Sequence, residues 1–423
     1  MRHRESMSIV LLAAAFMALT SAAAPRVPGG ARRERVPIQL GETRPLETAL
    51  GDTTLPTAAS VWIDMIDGAK SDIALEHFYL SRKAGEALDP VLDAIGRAAR
   101  RGVTVRLLLD AGMHRTYPQP ADSLGTLPGV SVRFVDYRRL AGGVQHAKFM
   151  VVDGRQAWLG SQNLDWRALS HIHELGARVE IEGVAKAFAD VFETDWRGSD
   201  TTHIATPVAA ERVQWPLAFR QDGERGLIWA SASPQKLNPR SVLWDRDVLV
   251  ERVNSAQREI VAQVLSYGVG GHGTADSTLH RALIAAAARG VQVKLIVSDW
   301  VVGGRGEADL RALAALPNVH VRISKVPDWS VGYIPFARVQ HCKFMVADSE
   351  WLWLGTSNWD PSYFFSSRNI AVTMHHLASA KRVRAIFETS WTAPSAVELE
   401  AGTKLEKRIH GETAPPGATM YGE

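Results

Sequence analysis

HAKFMVVD, residues 146–153, is an apolar segment that carries a histidine, a lysine and an aspartate. Its apolar and β-branched residues predict a strand that begins near His146, and Asp153-Gly154 is typical of a hairpin turn. Because side chains alternate between the two faces of a strand, His146 and Lys148 are expected to project side by side. Taken alone, the segment also fits an edge strand that bears a surface histidine.

The segment is one member of a repeat, because a second copy follows 195 positions later (146 to 341). Three pairs of segments share this offset: HAKFMVVD with HCKFMVAD (341–348), GSQN (160–163) with GTSN (355–358), and FETDW (192–196) with FETSW (387–391). The sequence therefore predicts an internal duplication. A period of this length excludes solenoids and propellers, whose units are far shorter.

Each copy is preceded by a looser repeat of a helix and two strands. The matching segments are ARRGVTVRLLLDAG (99–112) with AARGVQVKLIVSDW (287–300), and LPGVSVRFV (127–135) with LPNVHVRIS (316–324). Helices that alternate with apolar, β-branched strands indicate an α/β fold with a largely buried sheet. The sequence therefore predicts two tandem, pseudo-symmetric α/β/α sandwich domains of ordinary size.

The predicted boundaries divide the chain into six parts. A connection is expected around Pro207 and Pro216, where prolines and polar residues are frequent. The parts are a signal peptide (1–24), an N-terminal extension (25–54), a first domain (55–200), a linker with the entry to the second domain (201–238), a second domain (239–396) and a C-terminal tail (397–423).

The first 24 residues have the layout of a secretory signal. Arg2 and Arg4 precede an apolar stretch, and small residues follow up to Ala24. We therefore expect an exported protein, periplasmic or secreted, with an N-terminal membrane anchor as the minor alternative. Cys342 is the single cysteine of the sequence, which excludes a disulfide within the chain.

The duplicated histidines suggest one shared catalytic site. Attack on a phosphodiester requires a nucleophile on one side of phosphorus and a proton donor for the leaving oxygen on the other. One histidine from each domain would supply both groups, which requires the site to lie between the domains. Charge that develops on the non-bridging oxygens would be stabilised by Lys148, Lys343, Asn163 and Asn358.

HxKxxxxD, present twice and each time followed by G-[ST]-x-N, resembles the signature of the phospholipase D superfamily. The resemblance covers nearly all of the chain after residue 55. It implies the phospholipase D fold, cleavage of a phosphodiester substrate through a phosphohistidine, and no metal or other cofactor. It also implies no obligatory protein partner, because a monomer contains a complete site.

Longer segments resemble the animal lysosomal branch of that superfamily. They are VRFVDYRRLAGGVQHAKFMVVD, GSQNLDWRALSHIHELG and IPFARVQHCKFMV. Members of this branch include exonucleases that degrade single-stranded nucleic acid from the 5′ end. A single-stranded DNA or RNA substrate is therefore what this resemblance implies.

The resemblance assigns a role to each matched residue. His146 is expected to be the nucleophile and His341 the general acid, although the near symmetry of the two motifs leaves these roles exchangeable. The two lysines and two asparagines named above are expected to bind the phosphate. Structural support is expected from Asp153 and Asp348 at the hairpin turns, and from Ser161 and Thr356 beside the asparagines.

Glu174, eleven residues after Asn163, corresponds to an acidic residue that supports a histidine across the site in the family. The equivalent position of the second half is Asn369, which can accept a hydrogen bond but cannot neutralise an imidazolium. The two histidines are therefore expected to differ in basicity.

Two further groups of residues have competing interpretations. His171, His173 and Glu174 are close in sequence, but their spacing matches no common zinc pattern, so no metal site is predicted. Four tryptophans near the motifs fit either packing or base stacking: Trp166, Trp300, Trp329 and Trp359.

Three functions remain compatible with the sequence. The first is a metal-independent phosphodiesterase of single-stranded nucleic acid, and the second is a phospholipase D or transphosphatidylase that acts on phospholipid head groups. The third is a catalytically silent phosphate-binding protein. The formal net charge of +3 is compatible with an anionic substrate, but it is too small to indicate nucleic-acid binding by itself.

Overall fold

The computed structural model describes residues 36–201, 206–271 and 273–422. The predicted signal peptide (1–24) and the first part of the predicted extension lie outside the described residues. From Val36 onward the chain forms one compact unit. In the described part of the chain, no helix is long and apolar enough to cross a bilayer.

The first half contains a seven-stranded sheet flanked by helices. The strands of this half are β1 (Ile38–Thr43), β2 (Asp72–His77), β3 (Leu80–Ser81), β4 (Thr104–Asp110), β5 (Val130–Val135), β6 (Phe149–Val152), β7 (Gln156–Gly160), β8 (Leu164–Asp165) and β9 (Glu174–Val179). The short strands β3 and β8 pair only with each other and lie outside the seven-stranded sheet. Its helices are α1 (Ala58–Gly68), α2 (Asp89–Arg100), α3 (Ala111–His114), α4 (Pro118–Gly125), α5 (Tyr137–Ala141) and α6 (Glu182–Gly198).

The second half is built around a ten-stranded sheet. Its strands are β10 (Leu217–Gln221), β11 (Glu224–Ser233), β12 (Leu243–Trp244), β13 (Glu259–Val264), β14 (Gly270–Gly271), β15 (Thr274–Ala275), β16 (Gln292–Ser298), β17 (Val319–Ser324), β18 (Phe344–Ala347), β19 (Trp351–Gly355), β20 (Asn369–His375) and β21 (Ala396–Glu398). The short strands β14 and β15 pair only with each other. The helices are α7 (Asp245–Ser255), α8 (Thr278–Ala288), α9 (Arg305–Ala314), α10 (Pro361–Phe365) and α11 (Leu377–Trp391).

The two sheets have the same strand order, which confirms the predicted duplication of an α/β fold. The first runs β1-β9-β7-β6-β2-β4-β5, and the second contains the equivalent series β11-β20-β19-β18-β13-β16-β17. In both, the three strands at one end are parallel and their neighbours are antiparallel. The strand that follows each histidine motif is therefore central and is covered on both faces, which explains the uninterrupted apolar sequences FMVV and FMVA.

Both sheets extend beyond the predicted domain boundaries. β1 lies in the predicted N-terminal extension and pairs with β9. β10 and β11 lie in the predicted linker and belong to the second sheet. These strands complete or lengthen sheet edges, where pairing to a neighbouring strand outweighs a local sequence rich in turns and polar residues.

Three apolar clusters form the core. One lies between the outer helices and the first sheet, and one has the equivalent position in the second half. The third is shared by both halves and includes Phe188 and Phe192 of α6 and Phe387 of α11. This shared cluster joins the two sheets, so residues contributed by different halves are held in a common framework.

The histidine motifs cross from one half to the other before they enter their sheets. The amide of His146 donates to the carbonyl of Arg368 at 3.0 Å, and the amide of His341 donates to the carbonyl of His173 at 3.0 Å. The strands β6 and β18 therefore begin only at Phe149 and Phe344, later than the sequence predicts. The cause is that each motif's first backbone group pairs with the opposite half instead of its own sheet.

Candidate active site

His146 and His341 are buried, with 5% and 8% of their surfaces exposed. Each is oriented by a residue of the opposite half. Nδ1 of His341 lies 2.8 Å from Oε2 of Glu174, and Nδ1 of His146 lies 2.9 Å from Oδ1 of Asn369. In both pairs an oxygen accepts the Nδ1 proton, so Nε2 of a neutral ring keeps its lone pair for chemistry.

The amide of Asn369 is oriented by two further hydrogen bonds. Thr356 Oγ1 donates to its Oδ1 at 2.9 Å, and its Nδ2 donates to the carbonyl of Tyr363 at 2.8 Å. The oxygen is thereby directed at His146. Ser161, the equivalent of Thr356, accepts a bond from the Leu175 amide at 3.1 Å, as Thr356 does from the Ile370 amide, but it makes no bond to Glu174 among the described contacts. Thr356 thus acts on the histidine partner directly, whereas Ser161 supports the strand that carries Glu174.

Lys148 and Lys343 are fully buried and lie beside the histidines. Each ammonium donates one hydrogen bond to the carbonyl of the histidine in its own motif, and for Lys343 this bond is 2.7 Å long. Burial and the charge of Lys343 lower the pKa of Lys148 well below its usual range. Burial lowers the pKa of Lys343 to about 8, although Glu174 opposes that shift.

The two imidazoles differ in basicity because their partners differ. Burial and the positive charges of Lys148 and Lys343 lower the pKa of His146 well below its usual value, and Asn369 opposes the shift. Burial also lowers the pKa of His341, but the Glu174 carboxylate opposes that shift. Two ammonium groups and two imidazoles therefore surround one carboxylate, an arrangement that favours binding of an anion.

Asn163 and Asn358 complete the group of polar side chains. Both are buried. Oδ1 of Asn163, both polar atoms of the Asn358 side chain and Oε1 of Glu174 have no hydrogen-bond partner within the described chain. Buried polar groups normally have partners, so unpaired ones at a site indicate that a ligand or water supplies them. The geometry thus brings together His146, His341, Lys148, Lys343, Asn163, Asn358, Glu174 and Asn369.

Comparison with known proteins agrees with this geometry. The family model described as cardiolipin synthase, PLD-like domain, matches residues 62–196 and 249–391. The chain belongs to the phospholipase D superfamily. It is therefore a phosphodiesterase of that superfamily, and its two matched segments are the two halves of the fold.

Its relatives in the superfamily have two kinds of name. Phospholipase D Z of Dictyostelium discoideum is 30% identical over 386 residues, which cover 84% of this chain and 89% of that protein. The 5′-3′ exonuclease PLD4 of Mus musculus is 30% identical over 403 residues, which cover 84% of this chain and 78% of that protein.

The fold is also found in phosphatidylserine synthase of Haemophilus influenzae. That structure has a TM-score of 0.60 and 13% identity, and the match covers 82% of this chain and 86% of the other. At this identity the likeness concerns the fold alone.

Asp153 and Asp348 are the aspartates of the two HxKxxxxD motifs. They lie at the far ends of the hairpins, away from the histidines and lysines of those motifs. Asp153 accepts hydrogen bonds from the amides of Lys70, Ser71 and Asp72 at 2.7 to 3.1 Å. Asp348 accepts equivalent bonds from the amides of residues 257–259 at 2.7 to 3.0 Å. These carboxylates connect each hairpin to the start of the neighbouring central strand.

The residues considered in the sequence as metal ligands or base-stacking platforms have other contacts in the structure. His171 packs against Trp329, with ring centroids 4.5 Å apart, and His173 lies between Glu42 and Gln340. They diverge from Glu174 and do not converge on a metal position. Trp359 is only 1% exposed, so its ring is packing and not a stacking platform.

Sequence reasoning missed the aromatic rings that flank His146. The ring centroids of Phe78 and Tyr363 lie 5.4 Å and 4.8 Å from that of His146. Their positions in the sequence could have indicated that they lie near the site, because Phe78 directly follows the first central strand β2 and Tyr363 lies five residues after Asn358. The ends of central strands are where ligands approach an α/β sheet.

Proposed function

We propose that this protein is an exported phosphodiesterase that hydrolyses single-stranded nucleic acid through a phosphohistidine intermediate and requires no metal ion. One observation carries the proposal: two buried lysines and two buried histidines surround the single carboxylate of Glu174. An anionic phosphodiester supplies the negative charge that such a cluster requires.

In the first step, Nε2 of one histidine attacks phosphorus. The bond between phosphorus and the leaving oxygen breaks, and Nε2 of the second histidine donates its proton to that oxygen. In the second step, the second histidine removes a proton from water, the water oxygen bonds to phosphorus, and the P–N bond breaks. The lysines and asparagines stabilise the charge on the non-bridging oxygens in both steps.

The hydrogen-bond partners favour His341 as the nucleophile and His146 as the acid, which exchanges the roles expected from the sequence. An attacking imidazole that keeps its Nδ1 proton becomes positively charged, and Glu174 stabilises that charge on His341 at 2.8 Å. His146 faces only the neutral oxygen of Asn369, so its protonated form is the stronger acid.

The nucleic-acid substrate is supported by the exonuclease name of relatives at about the same identity as the phospholipases. Cleavage of phospholipid head groups is the second candidate, and it is favoured by the relatives named phospholipase D. Export is proposed from the predicted signal peptide at residues 1–24. A monomer suffices for activity because both histidines and their partners belong to one chain.

Two substrates distinguish these candidates. Purified protein in buffer with EDTA is incubated with a 5′-hydroxyl single-stranded oligonucleotide or with phosphatidylcholine vesicles, and the products are identified by mass spectrometry. Stepwise release of mononucleotides with intact lipid is expected. Release of choline with an intact oligonucleotide would favour the phospholipase, and an absolute requirement for added metal would contradict the metal-free mechanism.

Variants test the two histidines. We expect His146→Ala and His341→Ala each to lower kcat by about 10³-fold or more, because nucleophile and acid act as a unit. On an activated p-nitrophenyl phosphodiester, whose leaving group needs no proton, His146→Ala should still release one nitrophenolate per enzyme in a burst. His341→Ala should give no burst. The exposed His320 is a matched control, and its replacement by alanine should leave activity unchanged.

A further inference from the structure

Three partly exposed aromatic residues form a series that begins beside His146, and a fourth lies on another side of His146. The series starts with Phe78, whose ring centroid lies 5.6 Å from that of Tyr79, which in turn lies 5.5 Å from Tyr117. Tyr363 lies on another side of His146, 4.8 Å away and nearly perpendicular to it. We call Phe78, Tyr79, Tyr117 and Tyr363 the aromatic wall. Each member is partly exposed.

Three members of the aromatic wall have no aromatic counterpart at the equivalent described positions of the other half. Phe78 and Tyr79 directly follow β2, and the residues that directly follow the equivalent strand β13 are Leu265 and Ser266. The position 195 residues before Tyr363 is Ala168. The catalytic groups are nearly symmetric, but their surroundings are not. The two groups esterified to a bound phosphate therefore meet different surfaces.

The wall is connected to the residues that hold the phosphate. The hydroxyl of Tyr79 donates to Oδ2 of Asp165 at 2.8 Å, and Nδ2 of Asn163 lies 3.4 Å from the same hydroxyl. Asp165 in turn accepts two bonds from Nε of Arg167, at 3.1 and 3.0 Å. Both partners of this ion pair are buried, which fixes the ring of Tyr79. A flat group that stacks on the wall is thereby held at a defined position relative to the phosphate.

The charges near the wall select the kind of group that it binds. Nζ of Lys148 lies 5.2 Å from the ring centroid of Phe78, and the guanidinium of Arg167 lies 5.8 Å from that of Tyr117. A quaternary ammonium also seeks aromatic faces, but here it would meet cations that already occupy them. A neutral, flat nucleobase attached to an anionic phosphate meets no such repulsion, and stacking on aromatic rings is the usual way to bind one.

We propose that the aromatic wall is the binding subsite for the nucleobase of the leaving nucleoside. The base belongs to the leaving nucleoside because His146, which lies beside the wall, donates the proton to the leaving oxygen in the proposed mechanism. This inference rests on the proposed function and adds to it the residues that recognise a base. It makes the enzyme selective for a nucleoside on one side of the scissile phosphate.

The test uses a dinucleoside monophosphate and its two singly abasic analogues. The product that carries no phosphate identifies the leaving nucleoside. In the wild-type protein we expect kcat/KM to fall about tenfold when the leaving nucleoside lacks its base, and to change less when the other one does. This comparison needs no variant. A loss confined to the retained nucleoside would overturn the inference.

Variants then locate the effect. In Tyr117→Leu and Tyr363→Leu, the preference for the base-bearing leaving nucleoside should shrink to about threefold or less. Trp351→Leu is the matched control, because this half-exposed ring lies beside the hairpin turn of Asp348, at the opposite end of the strands from His341. Trp351→Leu should show the same preference for a base-bearing leaving nucleoside as the wild-type protein. Preferences that are equal in all variants would overturn the inference.

The two proposals fail in different ways. If the dinucleoside is cleaved but its bases make no difference, the aromatic wall has another use and the proposed function stands. If the protein instead releases choline from phosphatidylcholine and leaves the dinucleoside intact, the nucleic-acid function falls. Loss of that choline release in Tyr363→Leu would then identify the wall as a head-group site and overturn the inference.

Discussion

Oε2 of Glu174 lies 2.8 Å from Nδ1 of His341, whereas Nδ1 of His146 faces the uncharged oxygen of Asn369 at 2.9 Å. The two pairs occupy equivalent positions and each crosses between the halves. A single difference, carboxylate against amide, therefore separates two otherwise similar imidazoles.

Glu174→Gln should move the alkaline limb of the pH profile of kcat/KM to lower pH, because His341 has the higher of the two histidine pKa values and the higher value sets that limb. Glu174 raises the pKa of His341 against the effect of burial, so its replacement lowers that pKa further. The nucleophile is active when neutral, and His341 then stays neutral to lower pH. We also expect kcat to fall about 100-fold, because the positive charge on the phosphorylated ring loses its partner. A pH profile that does not change would contradict the assignment of this pKa to His341.

Asn369→Asp should have the opposite effect on the other histidine. A carboxylate beside His146 raises its pKa, so the acidic limb of kcat/KM, which the lower histidine pKa sets, should move to higher pH. His146 also becomes a weaker acid, and cleavage of substrates with poor leaving groups should slow more than cleavage of a p-nitrophenyl ester. The comparison of these two substrates over pH 5 to 10 measures this. Asn254→Asp, at an exposed position, should reproduce neither change.

Asp195→Asn should destabilise the fold without altering a group that touches the phosphate. Asp195 pairs with Arg368 at 2.6 Å and both side chains are buried. Removal of one partner leaves a buried charge, which costs about 3–5 kcal/mol in the free energy of unfolding. Asp67→Asn is the control, because the pair of Asp67 with Arg97 is exposed and worth about 0–1 kcal/mol. Urea unfolding of both variants checks this, and equal losses would contradict it.

The free energy of unfolding should fall as the pH rises through the pKa of folded His173. Nε2 of His173 lies 2.8 Å from Glu42 and Nδ1 lies 2.6 Å from Oε1 of Gln340, so both nitrogens face acceptors. Burial opposes protonation, but Cys342 and Glu42 outweigh it and raise the pKa well above its usual value. A raised pKa contributes stability that is complete at low pH and lost above the folded pKa.

Unfolding measurements between pH 5 and 9 test this dependence. The wild-type protein should lose about 1.4 kcal/mol for each pH unit between the unfolded and folded pKa values of His173. In Glu42→Gln the decline should be weaker, since the main carboxylate partner is gone. A slope that Glu42→Gln leaves unchanged would assign the pH dependence to other groups.

Much of the site was predictable because it depends on repetition. The offset between His146 and His341 recurs at Asn163 and Asn358, and equal spacing in two copies of one fold places equivalent residues at equivalent points. The apolar character of FMVV and FMVA predicted strands of a largely buried sheet, and both strands are buried on both faces. The sheet edges were less predictable. β10 and β11 lie in a region rich in turn residues, where they form a local hairpin, and only the pairing of β11 with β20 joins them to the second sheet.

The sequence alone determined the duplication, the α/β class and the set of polar residues, because these follow from local patterns and their repetition. Only the tertiary structure decided which residue faces which histidine. Glu174 reaches His341, and Asn369 reaches His146, through backbone pairing between the halves. The aromatic wall likewise joins Tyr363 of one half to Phe78 of the other. Such contacts join residues far apart in the chain, and no local pattern encodes them; they result from packing the two halves around one shared core.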